Sequence, residues 1–393
     1  MRLLFVKDAL AWPRSSGHDL LCFYLMQALA RQGHKVGLVT AVEPAHEALA
    51  GLPLALQRTF PRPGEPADGP APRLSRLQER FRSYWGIDPN RLRALGRAAE
   101  DFDADVVVVV GLNVLPYLGG VHDRLRVWYA ADEWIWHHLS QLRLMDPGTW
   151  GNVRAAVVKG LYEWAYAPLL DRVWVASEAD RRAMNWVTGI RAVDVLPTGV
   201  DSEYYQPSEE CEVDNSCVFW GRLDFGPNIQ ALQWFCRAVW PALRRRVPGA
   251  RLTIYGFKPT EPVQALADRD GVTLIADQAD IRADIRSHQV VVLPFVSGGG
   301  VKSKLLEALS MGRAVVGTPR ACNGLFGGPS PPLLQARSPG EWVRDVQALW
   351  SDAGRRKLLG ATARRWVLQH HTWQAAARQA AASLERSLRE ARR

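Results

Sequence analysis

The sequence predicts an α/β protein built from two doubly wound domains in tandem, and three observations predict it. Short β-rich runs alternate with helical patterns along the chain, a polar stretch interrupts the rhythm at residues 197–216, and a second alternating series follows. Alternation of this kind builds a parallel sheet with helices on both faces.

The first series runs RLLFV (2–6), KVGLVT (35–40), VVVVV (106–110), RVWYA (126–130), RVWVA (172–176) and VDVLP (193–197). Residues 42–72, rich in Pro, Ala and Gly, read as a loop or lid connection between them. The interruption, PTGVDSEYYQPSEECEVDNS, is acidic and proline-bounded and reads as an interdomain linker. The second series is CVFWG (217–221), RLTIYG (251–256), VTLIA (272–276), VVVLP (290–294) and AVVGT (314–318), and the closing QAAARQAAASLERSLREARR is helical. The expected domains are residues 1–200, 201–375 and a terminal helix 376–393. Two Rossmann-like domains facing a central cleft would place ligands where the C-terminal ends of both sheets meet.

Composition bounds the function. With 47% hydrophobic and 23% charged residues in 393, the chain is ordinary globular material with room for two cores. MRLLFVKD offers only four apolar residues in a row before Lys7, and no later run approaches a membrane span, so a cytoplasmic protein is expected. Cys22, Cys211, Cys217, Cys236 and Cys322 lack metal-ligand spacing and read as reduced thiols. The net charge of +9 is diffuse, and its basic residues are not interleaved with a nucleic-acid reader motif. Its densest run, RLSRLQERFRSYWGIDPNRLRALGR (73–97), sets Leu74, Leu77, Phe81, Tyr84 and Trp85 on one helical face among seven arginines. Two readings fit: peripheral contact with an anionic membrane surface, at the inner face of the membrane, or a helix covering its own core with solvated arginines.

The most specific local pattern is VVLPFVSGGGVKSKLLEALSMG: a buried-looking strand, three glycines, then a helix opening with two lysines. A glycine loop lets backbone amides approach a phosphate closely, and a helix N-terminus already favours an anion.

Taken in order, SSGHDLLCFYLMQALARQGHKVGLVT, LLDRVWVASEADRRAM, VLPTGVDSEYYQP, FWGRLDFGPNIQALQWF, SGGGVKSKLLEALSMGRAVVGT and HHTWQAAARQ resemble the motifs of GT-B glycosyltransferases, most closely the retaining family 4 (glycosyl transferases group 1). The resemblance covers nearly the whole chain. It implies sugar transfer from a nucleotide-diphosphate sugar, with an acceptor-binding first domain and a donor-binding second domain; no DxD-like pair follows a buried strand, so neither a metal ion nor a cofactor is expected. The glycine loop would then hold the donor diphosphate through Gly299, Gly300 and Val301, with Lys302 or Lys304 supplying charge. Glu307 takes the place of the glutamate that accepts the ribose hydroxyls, and Arg222 that of the arginine facing the diphosphate; Gly17, Gly256 and Ile281 complete the implied donor site. Asp132 matches an acid after strand 126–130 that either orients substrate or caps the next helix. His18, in the first glycine loop, is either a base for an inverting reaction or a loop histidine. Two departures stand out. The sugar-contacting glutamate of many relatives is replaced by Gly299, and the lysine five or six residues after the arginine by Pro227 and Asn228. The expected acceptors are a sugar, a lipid-linked glycan or a small molecule, in glycan, glycolipid or natural-product assembly. The alternatives are a nucleotide-sugar epimerase of the same fold and a non-catalytic nucleotide-binding module.

Overall fold

A computed structural model of the chain describes residues 1–12, 17–61, 88–131, 148–208, 211–298, 300–325 and 330–391. It comprises two compact units, Met1–Thr198 with Trp373–Arg393, and Gly199–Thr372.

The first unit carries a seven-stranded parallel sheet of β1 (Arg2–Lys7), β2 (Lys35–Thr40), β3 (Leu54–Thr59), β4 (Val106–Val110), β5 (Leu125–Ala131), β6 (Arg172–Val175) and β7 (Val193–Val195). Their order is β3-β2-β1-β4-β5-β6-β7. The crossover helices are α1 (Gly17–Arg31), α2 (Pro89–Asp101), α3 (Gly148–Tyr166) and α4 (Glu178–Thr188). The valine run 106–110 is buried throughout, as a central strand covered on both faces requires. β3 corrects the reading of residues 42–72 as a loop at residues 54–59, while residues 62–72 lie outside the described residues. β3 is an edge strand whose side chains are half-buried or exposed, so it carries no apolar run to announce it.

The terminal helix, α11 (Trp373–Ala391), lies against α1 in this unit. Its Ala376, Ala377, Ala380 and Leu384 pack with Leu21, Leu25 and Met26 over Leu3, Phe5 and Val108. Trp373 stacks on Tyr24 with ring centres 5.5 Å apart. Polar ties fix its far end: the Trp174 indole N–H donates to Ser383 Oγ at 3.1 Å, and Ser383 donates to Asp194 at 2.6 Å.

The second unit has a six-stranded parallel sheet in the order β10-β9-β8-β11-β12-β13. The strands are β8 (Val213–Arg222), β9 (Arg251–Phe257), β10 (Val272–Ala276), β11 (His288–Leu293), β12 (Val315–Gly317) and β13 (Leu334–Gln335). The helices that bear on function are α5 (Gly226–Ala238), α6 (Trp240–Arg246), α7 (Arg282–Ser287), α8 (Ser303–Ser310), α9 (Pro339–Ser351) and α10 (Ala353–His370). In both sheets the strand order reverses beside the first strand, and that switch point is where a doubly wound sheet opens to a ligand.

Most of the stretch read as a linker is fastened to the second unit. Ser310 and Arg364 both donate to the Tyr205 carbonyl, at 2.6 and 3.0 Å, and residues from Val213 onward already belong to β8. Its acidic character has a structural use: Glu212 accepts from Arg313 at 2.7 Å and from the buried Arg356 at 2.5 Å. Burial pushes the Glu212 carboxyl up, but the two guanidinium hydrogen bonds outweigh it and hold the group below the usual glutamate range. A carboxylate so held stabilises the fold at neutral pH and loses that contribution as pH falls through its lowered value. Replacing Glu212 by Ala should therefore cost about 2–3 kcal/mol at neutral pH in urea unfolding, the cost of stranding charged donors, and the difference from the parent should close in acid.

Candidate active site

At the C-terminal end of β8, Trp220, Gly221 and Arg222 meet the start of α5 and the loop that follows β11. Gly221 has φ of 135°, and a Cβ there would lie 2.6 Å from both Cε and Nζ of Lys304. The missing side chain is the notch through which Lys304 crosses the strand end. Its ammonium donates to Asn228 Oδ1 at 3.2 Å, and the Asn228 Nδ2 donates to the Arg222 carbonyl at 2.7 Å. The Phe219 and Phe295 rings lie 5.6 and 5.7 Å from it. Burial lowers the Lys304 pKa to about 8, with Glu307 opposing the shift. Asn228, one of the two residues in place of the expected lysine, is buried and receives the lysine of the facing helix.

One turn into α8, the Glu307 carboxylate accepts from the Trp220 indole N–H at 2.8 Å. Burial raises its pKa, and the bonds from Trp220 and Ser303 with the charge of Lys304 limit the rise. The Trp220 bond to Oε2 orients the carboxylate, whose remaining lone pairs can accept an incoming hydroxyl. Trp220 is a site residue that the motif reading missed; its signal was an aromatic directly before the glycine and arginine at the end of a buried strand.

The loop places its glycines under real constraint. Gly298 and Gly300 have φ of 91° and 68°, and a Cβ on Gly298 would press on Pro227 at 3.0 Å. Lys302 folds back over this loop, donating to the carbonyls of Gly298 and Gly300 at 3.4 and 3.2 Å. Val301 is half-buried against the core. Arg222 differs from expectation in its partner: its guanidinium makes a two-pronged pair with Asp224, both bonds 3.0 Å, on the exposed side of the turn. An arginine fork can exchange one carboxylate for a phosphate of matching geometry. Gly256 lies in register with Gly221, where a Cβ would collide with the Gly221 carbonyl. Ile281 caps α7 and packs against the unit's core. Gly299 lies outside the described residues.

In the first unit, a cavity of about 200 Å³ opens at the β1/β4 switch point, lined by Lys7, Asp8, His18, Val110, Gly111, Leu112, Asn113 and Lys159. Lys7 is buried and pairs with Asp19 at 2.7 Å. Asp8 is pushed up by burial but held below its usual range by Asn113, the Ala9 N–H and Lys7. Lys159, on α3, is lowered by burial against the pull of Glu163. His18 follows Gly17, the first residue of α1, and lines this wall. Alternating donors and acceptors around a space of this size suit the hydroxyls of one sugar ring. Asp132 lies outside the described residues.

Two parallel Rossmann-like units of this topology define the GT-B fold. Solved structures with the same fold include HepE of Anabaena in complex with UDP and glucose (TM-score 0.65, 16% identity, 98% of this chain and 99% of that one). Sucrose-phosphate synthase of Thermosynechococcus elongatus (0.69, 15%, all of both chains) and a TarM variant of S. aureus in complex with UDP, Fondaparinux and alpha-GlcNAc-glycerol (0.66, 9%, 98% and 100%) share it too. Curated proteins return no match. Residues 214–352 match the family described as Glycosyl transferases group 1. The chain thus has the GT-B fold, and residues 214–352 of its second unit match the group 1 glycosyltransferase family.

The Gly221 notch gives a direct test. In Gly221→Ala the new methyl displaces Lys304 from Asn228, and nucleoside diphosphate affinity should fall about tenfold or more, the loss of one charged hydrogen bond. Nucleoside affinity, measured by calorimetry alongside it, should change little, because Glu307 and Trp220 keep their bond.

Proposed function

We propose that the protein transfers a sugar from a nucleotide-diphosphate sugar to an acceptor hydroxyl, with retention of configuration and without a metal ion. The observation that carries this reading is the convergence of Glu307, Lys304, Lys302 and the glycine loop at the end of β8, inside a group 1 domain. Glu307 accepts the ribose hydroxyls and the loop amides with Lys304 take the diphosphate. The HepE and TarM structures hold UDP, which makes uridine nucleotides the first donors to test and a hexose the first sugar.

Transfer breaks the bond between the sugar anomeric carbon and the phosphate oxygen, so negative charge gathers on the departing diphosphate as the sugar becomes cationic. Cations and amides already aimed at that oxygen stabilise this state without reorganising. Lys304, held by Asn228, is such a group; Lys302 and Arg222 must first release the loop carbonyls and Asp224. The acceptor hydroxyl forms its bond to the anomeric carbon on the face the diphosphate leaves, and its proton passes to the departing phosphate oxygen. The first unit's cavity, with His18, Asp8 and Lys159, receives the acceptor. We further propose a lipid-linked acceptor used at a membrane surface, with peripheral attachment, in glycan or glycolipid assembly, and no nucleic acid or cofactor. Among the described residues no helix is long and apolar enough to cross a membrane. The candidate surface named from sequence, residues 73–97, lies outside the described residues up to residue 87, its apolar face included. The described part, α2, buries Leu92, Leu95, Ala98 and Ala99 in its own unit.

One observation favours a second reading. Arg222 is paired with Asp224 rather than open to a phosphate, as in a module that binds nucleotide without catalysis. Incubating the purified protein with uridine, guanosine and adenosine diphosphate sugars separates the two. Slow release of nucleoside diphosphate, unchanged by a chelator, is the expected result; binding without any release would support the module, and a metal requirement would reject the charge assignment.

Glu307→Ala should weaken nucleotide binding by roughly ten- to a hundredfold, the equivalent of about 1.5–3 kcal/mol, with the melting transition retained; equal affinity in calorimetry removes Glu307 from the site. The pH dependence has a definite sign. Lys304 has its pKa lowered to about 8, so its charge disappears as pH rises through that value. Diphosphate affinity should therefore drop between about pH 7 and 9, below the ordinary lysine range, and Lys304→Arg should restore affinity at the alkaline end.

A further inference from the structure

We propose that the outer face of α3 and α4 is the surface through which the protein docks on a bilayer containing anionic lipid. The inference rests on the membrane part of the proposed function and assigns the face. α3 has two distinct sides. Inward, Tyr162 and Glu163 are buried and Lys159 lines the cavity of the first unit. Outward, Val157, Leu161 and Trp164 recur at helical spacing and are 56%, 48% and 56% exposed. Arg154 continues that side by one turn, also exposed. α4 packs beside α3. It presents Arg182 and, one turn on, Trp186, which is 83% exposed, with exposed Arg191 just beyond.

An amphipathic helix ordinarily turns such a stripe into a core. A contiguous exposed stripe marks an interaction surface, and its composition names the partner. Tryptophan is at home at the level of lipid headgroups, and arginine reaches phosphate from an apolar footing. The acids of the two helices do not oppose that charge. Glu163 and Asp180 are buried, and Glu178 pairs with Arg181 at 2.7 Å. A second copy fits poorly, because a two-fold contact through this face would bring Arg154, Arg182 and Arg191 against like charges. The same helix separates the bilayer from the acceptor cavity, a helix diameter of roughly 10 Å, so a headgroup-borne acceptor would be within reach of His18 and Lys159.

The test uses the full chain in co-sedimentation with vesicles of phosphatidylcholine alone or with about 30% phosphatidylglycerol, at low and high salt. The expected result is binding to the anionic vesicles that salt weakens. Trp164→Ser with Trp186→Ser should lower partition about tenfold or more, through lost apolar insertion. Arg154→Gln, Arg182→Gln and Arg191→Gln together should lower it and flatten the salt dependence, while Arg91→Gln, Arg93→Gln and Arg97→Gln on α2 should leave it within about twofold. An unchanged melting transition and far-ultraviolet circular dichroism spectrum in each variant report an intact fold. Binding that survives both outer-face sets, or is lost only with the α2 arginines, overturns the face and leaves a membrane enzyme standing. No binding by the parent protein at low salt overturns face and membrane reading together, while donor hydrolysis still reports on sugar transfer. Dimerisation without lipid, abolished by the tryptophan pair, would give the face to a second copy and overturn the proposal.

Discussion

Taking an ammonium out of water costs several kcal/mol unless polar groups receive it, and the upper edge of the second unit is organised around receiving one. Lys304 reaches over β8 only because residue 221 has no side chain, and it ends on Asn228, whose amide is held in turn by the Arg222 carbonyl. Glu307 stands one turn further along the same helix and counters the charge. Strand, turn and two helices are therefore fixed together by one cation. The lowered pKa of that cation is the consequence: a group held charged at a cost binds an anion more favourably than a solvated lysine would.

The same cluster explains how the site dispenses with a lysine on α5. An ammonium occupies that region, but it comes from α8 and meets an asparagine at the expected position. Moving the charge from one helix to the other keeps it near the glycine loop while leaving α5 to be packed by Pro227 against Gly298. Loop, helix start and strand end then constrain one another, which is what a diphosphate site requires if its donors are to be in place before charge develops.

The first unit solves a similar problem with pairing rather than a notch. Lys7, buried at the end of β1, has Asp19 on α1 as its partner, and Asp8 is held ionised by Asn113 and Lys7. The result is a cavity wall of mixed polarity rather than a field of one sign, suited to hydroxyls. α3 links this wall to the exterior, with ionisable groups on its inner side and tryptophan and leucine outside.

Runs of β-branched and apolar residues alone determined several strands: residues 35–40, 106–110 and 272–276 carry the predicted bounds, the first two because they are buried almost throughout and the last, an edge strand, through its β-branched residues. The glycine loop and its helix, with Glu307 at a fixed offset, were equally legible, because close backbone approach and a helix start are local demands written in consecutive residues. The edge strand 54–59 was not, since half-exposed residues beside prolines leave no periodic signal. Nor was the difference between Lys302 and Lys304. Two residues apart on one segment, they carry the same charge and the same motif, and only tertiary structure sends one back to its own loop and the other through the Gly221 notch to Asn228. The outer face of α3 was hidden for the same reason: an apolar stripe reads identically in sequence whether it meets a core or solvent, and burial is decided by which neighbour the fold supplies.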